Sequence, residues 1–374
     1  MSKVLKVYDV EMTVKGPVFI GNGEEISKKE YAVSWEESKV YVMDRMRLYN
    51  LLNSKRLVNE YVDFSLKNRN KDLGEWLFRE KVGIDDCLKC SKYSLDFGDA
   101  VVEDRSMLAI NAFIKDAYGL PYVPGSSIKG MLRTVLLAHD INNNITKYRN
   151  VKSCTKQEID CSYNEKANKN FFLSKPAKEM ETIAYNILDR EGTKKTDAVN
   201  DIMSGVIISD SEPLSMDDLI LCRPFQLHTD GSEKKLNVLR EALRPGTIVK
   251  FKITIDTSLC KITLDEIKSA IAYFGQMYNE VFLRKYKGLD TPSRDSVWLG
   301  GGVGFVSKTE IYPLYGHHEG VSTTVNIFRA TGVPANHKHS EDIKKGVSPH
   351  ICKVTYYKGH MYQMGLCSIK FNEK

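Results

Sequence analysis

The sequence predicts an α+β fold with a mostly antiparallel sheet. Three observations support it. Segments with strand-type alternation occur near both ends and in the middle, helix-type segments fall between them at irregular intervals, and several strands stand in hairpin-like pairs. A doubly wound parallel sheet would instead show a regular strand–helix series. The 374 residues are 42% hydrophobic and 27% charged, which excludes disorder as the whole account and allows a sizeable core at roughly 150 residues per domain. No apolar run approaches the roughly 18 residues that span a bilayer. Residues 1–7 hold no continuous apolar stretch to act as a secretory signal, so the expected address is the cytoplasm, with no membrane partner. Eight dispersed cysteines read as thiols of a reducing compartment.

The elements follow in order. Val4, Tyr8, Val10, Met12 and Val14 alternate with Asp9, Glu11 and Thr13, the pattern of a half-buried strand. Gly16-Pro17 ends it, and Asn22-Gly23 is expected to form a tight turn. Short strands are expected at 31–34 and 39–43. Asp44 can cap a helix carrying Met46, Leu48, Leu51 and Leu52, and 57–66 and 73–82 also look helical, so 44–82 reads as a helical insertion. An apolar stretch at 107–114 and a break at 119–124 precede a helix over about 128–139. Residues 140–205 are polar, rich in Asn and Lys and periodic only near 180–188, and read as a mobile insertion. Strands are expected at 206–210, 219–228 and 246–256, the last alternating Val249, Phe251, Ile253 and Ile255 against Lys250, Lys252 and Thr254. Thr263 and Glu266 form a capping box, opening a helix with Ile267, Ile271, Phe274, Tyr278 and Phe282 on one face. Arg284, Lys285 and Lys287 are expected in its last turn, where cations suit the helix dipole. A glycine cluster at 300–304 and a strand at 364–371 complete the chain.

The 54 Lys and Arg exceed the 48 Asp and Glu, for a net charge of +6. Its distribution is uneven. Over 120–156, Lys129, Arg133, Lys147, Arg149, Lys152 and Lys156 face the single acid Asp140, whereas 80–104 holds Glu80, Asp85, Asp86, Asp96, Asp99, Glu103 and Asp104 against three lysines. A basic side suited to a polyanion and an acidic side suited to a protein neighbour are expected, although solvated charge blocks produce the same pattern.

The most informative segment is Pro121-Tyr122-Val123-Pro124-Gly125-Ser126-Ser127-Ile128-Lys129-Gly130-Met131-Leu132-Arg133. Ser126 or Ser127 can cap the helix beginning there. Its first-turn N–H groups suit a phosphate, with Lys129 and Arg133 four apart on one face to add charge. A capped helix with a salt-bridged surface would look the same. It is not a nucleotide-triphosphate loop, because Met131-Leu132 stand where Lys and Ser or Thr are needed. The glycine cluster does not follow a strand and open a helix with dinucleotide spacing. Cys87 and Cys90, with Cys154 and Cys161, have poor spacing for a zinc site. His317, His318, His337 and His339 lie near glycine-containing turns without a carboxylate pattern. With no Gly-x-Ser-x-Gly elbow and no His-Glu-x-x-His, no catalytic motif, metal site or cofactor is indicated.

Together, Val18-Phe19-Ile20-Gly21-Asn22-Gly23, Tyr122 to Gly130, Ile207-Ile208-Ser209-Asp210, Leu299-Gly300-Gly301-Gly302-Val303-Gly304-Phe305 and Met364-Gly365-Leu366-Cys367 resemble the RAMP superfamily of CRISPR effector proteins. The length, the helical insertion and Gly304-Phe305-Val306-Ser307-Lys308-Thr309 look most like the fifth Csm subunits of type III-A systems. The resemblance covers about half the chain and implies a modified ferredoxin-like, RNA-recognition-motif-like core over 1–215, with insertions at about 44–104 and 140–205. A second α+β half over 216–374, carrying the glycine-rich loop, would pack against it.

It further implies a non-catalytic subunit that holds the 3′ end of a guide RNA and supports its maturation, with target RNA, a backbone RAMP subunit and a small helical subunit as further partners. By position, Ser126, Ser127, Lys129 and Arg133 would hold guide phosphates. Gly300, Gly301, Gly302 and Gly304 would pack the loop against the sheet or the RNA, beside Lys308. The aromatic signature that stacks bases on RNA-recognition sheets is not found in the sequence. Two alternatives remain open at this level: a metal-independent endoribonuclease of the same superfamily, with His317 or His339 as base and Lys308 steadying charge, and a structural adaptor without direct RNA contact.

Overall fold

The computed structural model describes residues 4–67, 72–100, 108–162, 167–168 and 171–372. Its centre is a five-stranded antiparallel sheet. In chain order the central elements are β1 (Leu5–Val14), α1 (Gly125–Asn143), β2 (Val206–Ile208), β3 (Ile248–Asp256), α2 (Leu264–Val281), β4 (Ser296–Trp298), α3 (Ile311–Ala330) and β5 (Leu366–Asn372). The strands lie in the order β4-β5-β1-β3-β2. Leaving out β4 and α3, the succession β1-α1-β2-β3-α2-β5, with β1 between β5 and β3, is the ferredoxin-like βαββαβ arrangement.

The register follows from the alternation. Val10 pairs with Phe251 and Met12 with Val249 across β1 and β3, and these side chains are buried. On the opposite face Asp9 lies across from Lys252 at 2.9 Å and Glu11 across from Lys250 at 4.0 Å. A one-residue slip would bury these charges and expose the apolar set, so register is strongly specified. Helix α2 opens with both halves of the Thr263–Glu266 capping box. It ends at Val281 because Phe282 leaves helical geometry, so Arg284 and Lys285 fall in a separate short turn of 3₁₀ helix rather than in the last turn of α2.

Two further sheets flank the core. The larger runs Gly21–Ile26, Ile110–Phe113, Leu239–Leu243, Leu219–Cys222, Ser91–Asp96, Lys39–Met43 and Tyr31–Ser34, and the smaller joins Glu233–Lys235, Pro224–His228, Ile351–Tyr357 and His360–Gln363. Residues 219–228 therefore form two strands in different sheets rather than one. Asn22-Gly23 lies within a strand at a register shift, with Gly23 at positive φ, instead of forming a hairpin turn. The central sheet takes β1 and β2 from residues 1–215 and β3, β4 and β5 from residues 216–374.

Asp44 caps helix Arg45–Ser54, accepting from the N–H groups of Met46 and Arg47. With Val58–Lys67 and Leu73–Arg79, this helix surrounds a small core in which Phe64 stacks on Trp76 at 5.3 Å. The expected mobile insertion at 140–205 is instead largely built. Helices Arg149–Cys161 and Ser174–Tyr185 pack beside α1 and α3. They bury Val151, Thr155 and Ile159 from one and Pro176, Met180 and Tyr185 from the other, stripes at intervals of four or five that the surrounding polar residues obscure.

Helix α1 sits unusually close to the chain leaving β2. A Cβ on Gly125 would collide with the carbonyl oxygens of Ile208 and Ser209, whereas Gly130, on the same helix, faces open space. Gly125→Ala is expected to lower stability by on the order of 3 kcal/mol, and Gly130→Ala to raise it by about 0.5–1 kcal/mol. Urea unfolding of the two variants checks both signs.

Candidate nucleic-acid interface

Three segments singled out in the sequence meet in one cleft of about 370 Å³. One wall is the first turns of α1, with Ser126, Ser127, Gly130, Met131 and Thr134. The others are Ile20-Gly21 and the chain from Trp298 to Gly301, with Ser307 and Lys308 at the rim. Ser126 and Lys308 are exposed. The ammonium of Lys308 has no ion pair or hydrogen bond to a described residue. Beside the apolar Ile20, Met131, Trp298 and Leu299, the lining carries hydroxyls, glycine backbone and one cation without a partner among the described residues, and among those residues neither a histidine nor a carboxylate.

The glycines make this cleft by letting backbones touch. Gly301 N–H donates to Phe19 O at 2.7 Å, Leu299 N–H to Gly365 O at 2.9 Å, and Gly365 N–H to Pro17 O at 2.8 Å. A Cβ on Gly300, which has positive φ, would collide with the Phe19 carbonyl, and one on Gly302 would collide with the Arg240 guanidinium. Gly304 has positive φ but open space around it. Gly300 and Gly301 thus pack against the protein's own backbone while lining the cleft, and Gly302 leaves room for a cation.

The helix start differs from the sequence expectation. Its N-cap is Pro124, and neither Ser126 nor Ser127 caps it. Asp210 supplies the cap from 85 residues away, its Oδ1 accepting from Gly125 N–H at 2.7 Å. The N–H of Ser127 turns back to Pro124 O at 3.0 Å. These two donors are used internally, and the turn lines the cleft with Ser126 and Ser127.

Lys129 and Arg133 share a helix face, as expected, but neither lines the cleft. Arg133 donates to Asp201 at 2.7 Å and to Glu181 at 3.0 Å and lies 4.3 Å from the Tyr185 ring. Those two carboxylates hold its pKa above the ordinary value in spite of burial. Burial lowers the pKa of Lys129, with Asp201 opposing and Arg133 adding. Lys147 pairs with Asp140 at 3.6 Å and Lys152 with Glu319 at 2.7 Å. Two cations of the basic block, Arg133 and Lys152, are therefore neutralised by acids distant in sequence, a signal that local charge counts cannot carry, while Arg149 and Lys156 stay exposed without an ion pair to a described residue. From the acidic block, Asp86 pairs with Lys55 at 3.1 Å and Asp99 accepts the Gly359 N–H at 2.8 Å, while Glu103 and Asp104 lie outside the described residues.

The remaining candidates lie elsewhere. Cys87 and Cys90 are buried and Cys154 and Cys161 exposed; Cys87 contacts Met43 Sδ at 3.5 Å and Cys90 the Arg47 carbonyl. His317 Nε2 contacts Gly346 O at 2.9 Å. Both His339 and His350 contact the buried Asp342 through Nδ1, the former at 3.0 Å and the latter more closely. Those three side chains come close enough for a shared ion, but the carboxylate is already satisfied by both rings and by Ser348 Oγ at 2.7 Å.

Residues 11–295 match the sequence pattern of the RAMP superfamily. The chain belongs to the RAMP superfamily. This RAMP protein is 28% identical over 396 aligned positions to the CRISPR system Cms protein Csm5 of Mycobacterium tuberculosis (strain CDC 1551 / Oshkosh), covering 99% of this chain and 98% of that protein. It is 26% identical over 318 positions to Csm5 of Streptococcus thermophilus, covering 83% and 81%. Its fold matches a chain in the cryo-EM structure of a Csm–crRNA–target RNA ternary complex of a type III-A CRISPR-Cas system (TM-score 0.63, 19% identity, 97% and 100% covered). It also matches the crystal structure of T. onnurineus Csm5 (TM-score 0.61, 19% identity, 96% and 99% covered). No helix among the described residues is long and apolar enough to cross a membrane.

Beside the cleft, sharing Gly130, Thr134 and Lys308 with it, this RAMP protein has a second cavity of about 530 Å³ lined mainly by apolar side chains. Glu310 points into it with Oε2 buried and unpartnered. Burial raises its carboxyl well above the ordinary value, and Glu181 adds to the effect. A carboxyl whose pKa is raised on folding contributes most below its unfolded value, near 4.3, and loses that contribution as pH rises towards the folded value. Glu310→Gln is therefore expected to gain stability relative to wild type between pH 4 and 7, by up to about 1.4 kcal/mol per pH unit. Denaturant midpoints across that range would test it; a pH-independent difference would contradict the assignment.

Proposed function

We propose that this protein is the Csm5-type subunit of a type III-A CRISPR interference complex, gripping the guide RNA near its 3′ end by its phosphates and supporting its maturation without cutting it. The observation that carries this reading is the convergence of Ile20-Gly21, Ser126-Ser127 and Gly300-Gly301 on one cleft with Lys308 unpaired at its rim. Hydroxyls, glycine backbone and an exposed ammonium suit sugar and phosphate oxygens rather than base edges. Such a surface holds a strand whatever its sequence. Lacking an imidazole or carboxylate among the described lining residues, it favours binding over proton transfer. The ferredoxin-like core and the similarity to Csm5 proteins over nearly the whole chain support a place in the same kind of assembly. A backbone RAMP subunit and a small helical subunit would be its neighbours, and target RNA a further ligand of the assembled particle. In this reading Arg133 holds the fold rather than a phosphate, its guanidinium engaged by two internal carboxylates.

Lys308→Ala combined with Ser126→Ala and Ser127→Ala is expected to weaken binding of a fluorescein-labelled single-stranded RNA roughly tenfold. The log–log salt slope should flatten by about 0.7 for each phosphate that the protein no longer neutralises. Arg133→Ala should leave the slope unchanged while reducing stability. Anisotropy titrations at three salt concentrations read both. Unchanged affinity and slope in the triple variant would remove the cleft from the RNA path, and cleavage of the RNA by the purified protein in excess EDTA would favour the endoribonuclease reading.

A further inference from the structure

Two cations on strands that reach the glycine loop have no counter-charge among the described residues. Arg240, on strand Leu239–Leu243, stacks its guanidinium 4.9 Å from the centre of the Phe19 ring and fills the space left by Gly302. Gly301 of the glycine loop and Gly21 touch the same ring, since a Cβ on either would press on Phe19. Lys353, on strand Ile351–Tyr357, flanks the loop from the far side. Its carbonyl accepts the Met364 N–H at 3.1 Å, and the following Gly365 packs on Leu299 and Val303. Burial lowers the pKa of both cations, and the charge of Arg240 pushes Lys353 further down.

Neither has an ion pair or side-chain hydrogen bond to a described residue. Arg240 Nε is fully buried with no partner. This contrasts with Arg133, similarly buried, which has two carboxylates. Two partly buried like charges disfavour the folded state unless something anionic joins them. A guanidinium over an aromatic ring retains donors of its fork for an oxyanion, and a second cation on a strand that reaches the same loop adds charge to the contact.

We propose that Arg240 and Lys353, with the backbone around Gly302, form a phosphate-binding site that takes a phosphate of the RNA strand after it leaves the Ser126–Lys308 cleft. The inference rests on the RNA-binding reading for the identity of the ligand. Its chemistry, a phosphate oxyanion between two uncompensated cations, stands on the site itself.

The test uses the full chain with Lys353→Met, Arg240→Lys and Arg240→Met. In the absence of RNA, Lys353→Met is expected to raise the melting temperature in low-phosphate buffer, because it removes the repulsion. Added inorganic phosphate should raise the melting temperature of wild type more than that of Lys353→Met. With labelled single-stranded RNA, Lys353→Met and Arg240→Met should each bind roughly tenfold more weakly, with Arg240→Lys between them and wild type. Equal losses with 3′-hydroxyl and 3′-phosphate RNA assign the site to an internal phosphodiester, and a loss confined to 3′-phosphate RNA assigns it to the terminal phosphomonoester.

If Lys353→Met binds RNA as wild type does while the Lys308 variant is weakened, the cation pair is not on the RNA path and the proposal fails while the cleft reading survives. If wild type binds no RNA but phosphate still stabilises it more than Lys353→Met, the anion site stands and the RNA reading falls. A lower melting temperature for Lys353→Met, with no differential phosphate effect, would mean that the lysine merely supports the fold.

Discussion

The structure around the cleft depends on three backbones meeting where side chains would normally keep them apart. Residues 17–19, 299–301 and 365 come from the beginning, the late middle and the end of the chain, yet each satisfies a neighbour's main-chain group. Pro17 O accepts Gly365 N–H, Gly365 O accepts Leu299 N–H and Phe19 O accepts Gly301 N–H. Buried main-chain groups must find partners, and at this separation only glycine admits the approach. The glycine cluster is first a device for closing the fold. Its position facing the start of α1 follows from that closure, and the cleft is the space between them.

Electrostatics sort the cations by compensation rather than by where they cluster in sequence. The block at 120–156 looks more basic than it is because some of its acids are elsewhere: Asp201 and Glu181 on Arg133, Glu319 on Lys152. At these distances a partly shielded pair interacts by several times the thermal energy, and its field largely cancels for an approaching polyanion. Within that block Arg149 and Lys156 stay exposed without an ion pair to a described residue. Nearer the glycine loop, Lys308 stands in solvent at the cleft rim, Arg240 packs against Phe19 and Gly302, and Lys353 has no counter-charge among the described residues.

Much of the fold was legible from local pattern. The alternation of β1 and β3 set the face and hence the register, with Asp9 and Glu11 opposite Lys252 and Lys250. The Thr263–Glu266 box marked the start of α2, and Asp44 marked that of helix Arg45–Ser54. The mixed α+β class and the RAMP resemblance needed no more than these and the glycine motifs. The helices at 149–161 and 174–185 were missed because their buried stripes are narrow and sit in polar sequence. The cap of α1 was misassigned because its acceptor, Asp210, lies 85 residues downstream. Each wall of the cleft was visible as a motif, but their convergence, and the isolation of Arg240 between Phe19 and Gly302, are tertiary facts with no local signature.

The contrast between Arg133 and Arg240 bears on how such a surface divides its tasks. Both guanidiniums stack on an aromatic ring and both are largely removed from water. The one given carboxylates ties the 181–201 segment to α1, and its charge is spent within the protein. The one left without them lowers the stability of the folded chain, a cost that cores ordinarily avoid by pairing and that persists mainly where a ligand supplies the missing charge. A cleft rimmed by one exposed ammonium would by itself grip a polyanion weakly and with a shallow salt dependence. The uncompensated pair beyond the ring makes up that deficit with charge that is partly desolvated and therefore stronger for each phosphate it meets. Binding is then expected to tighten the three-backbone junction, because phosphate neutralises the repulsion beneath the same loop whose glycines hold the fold together.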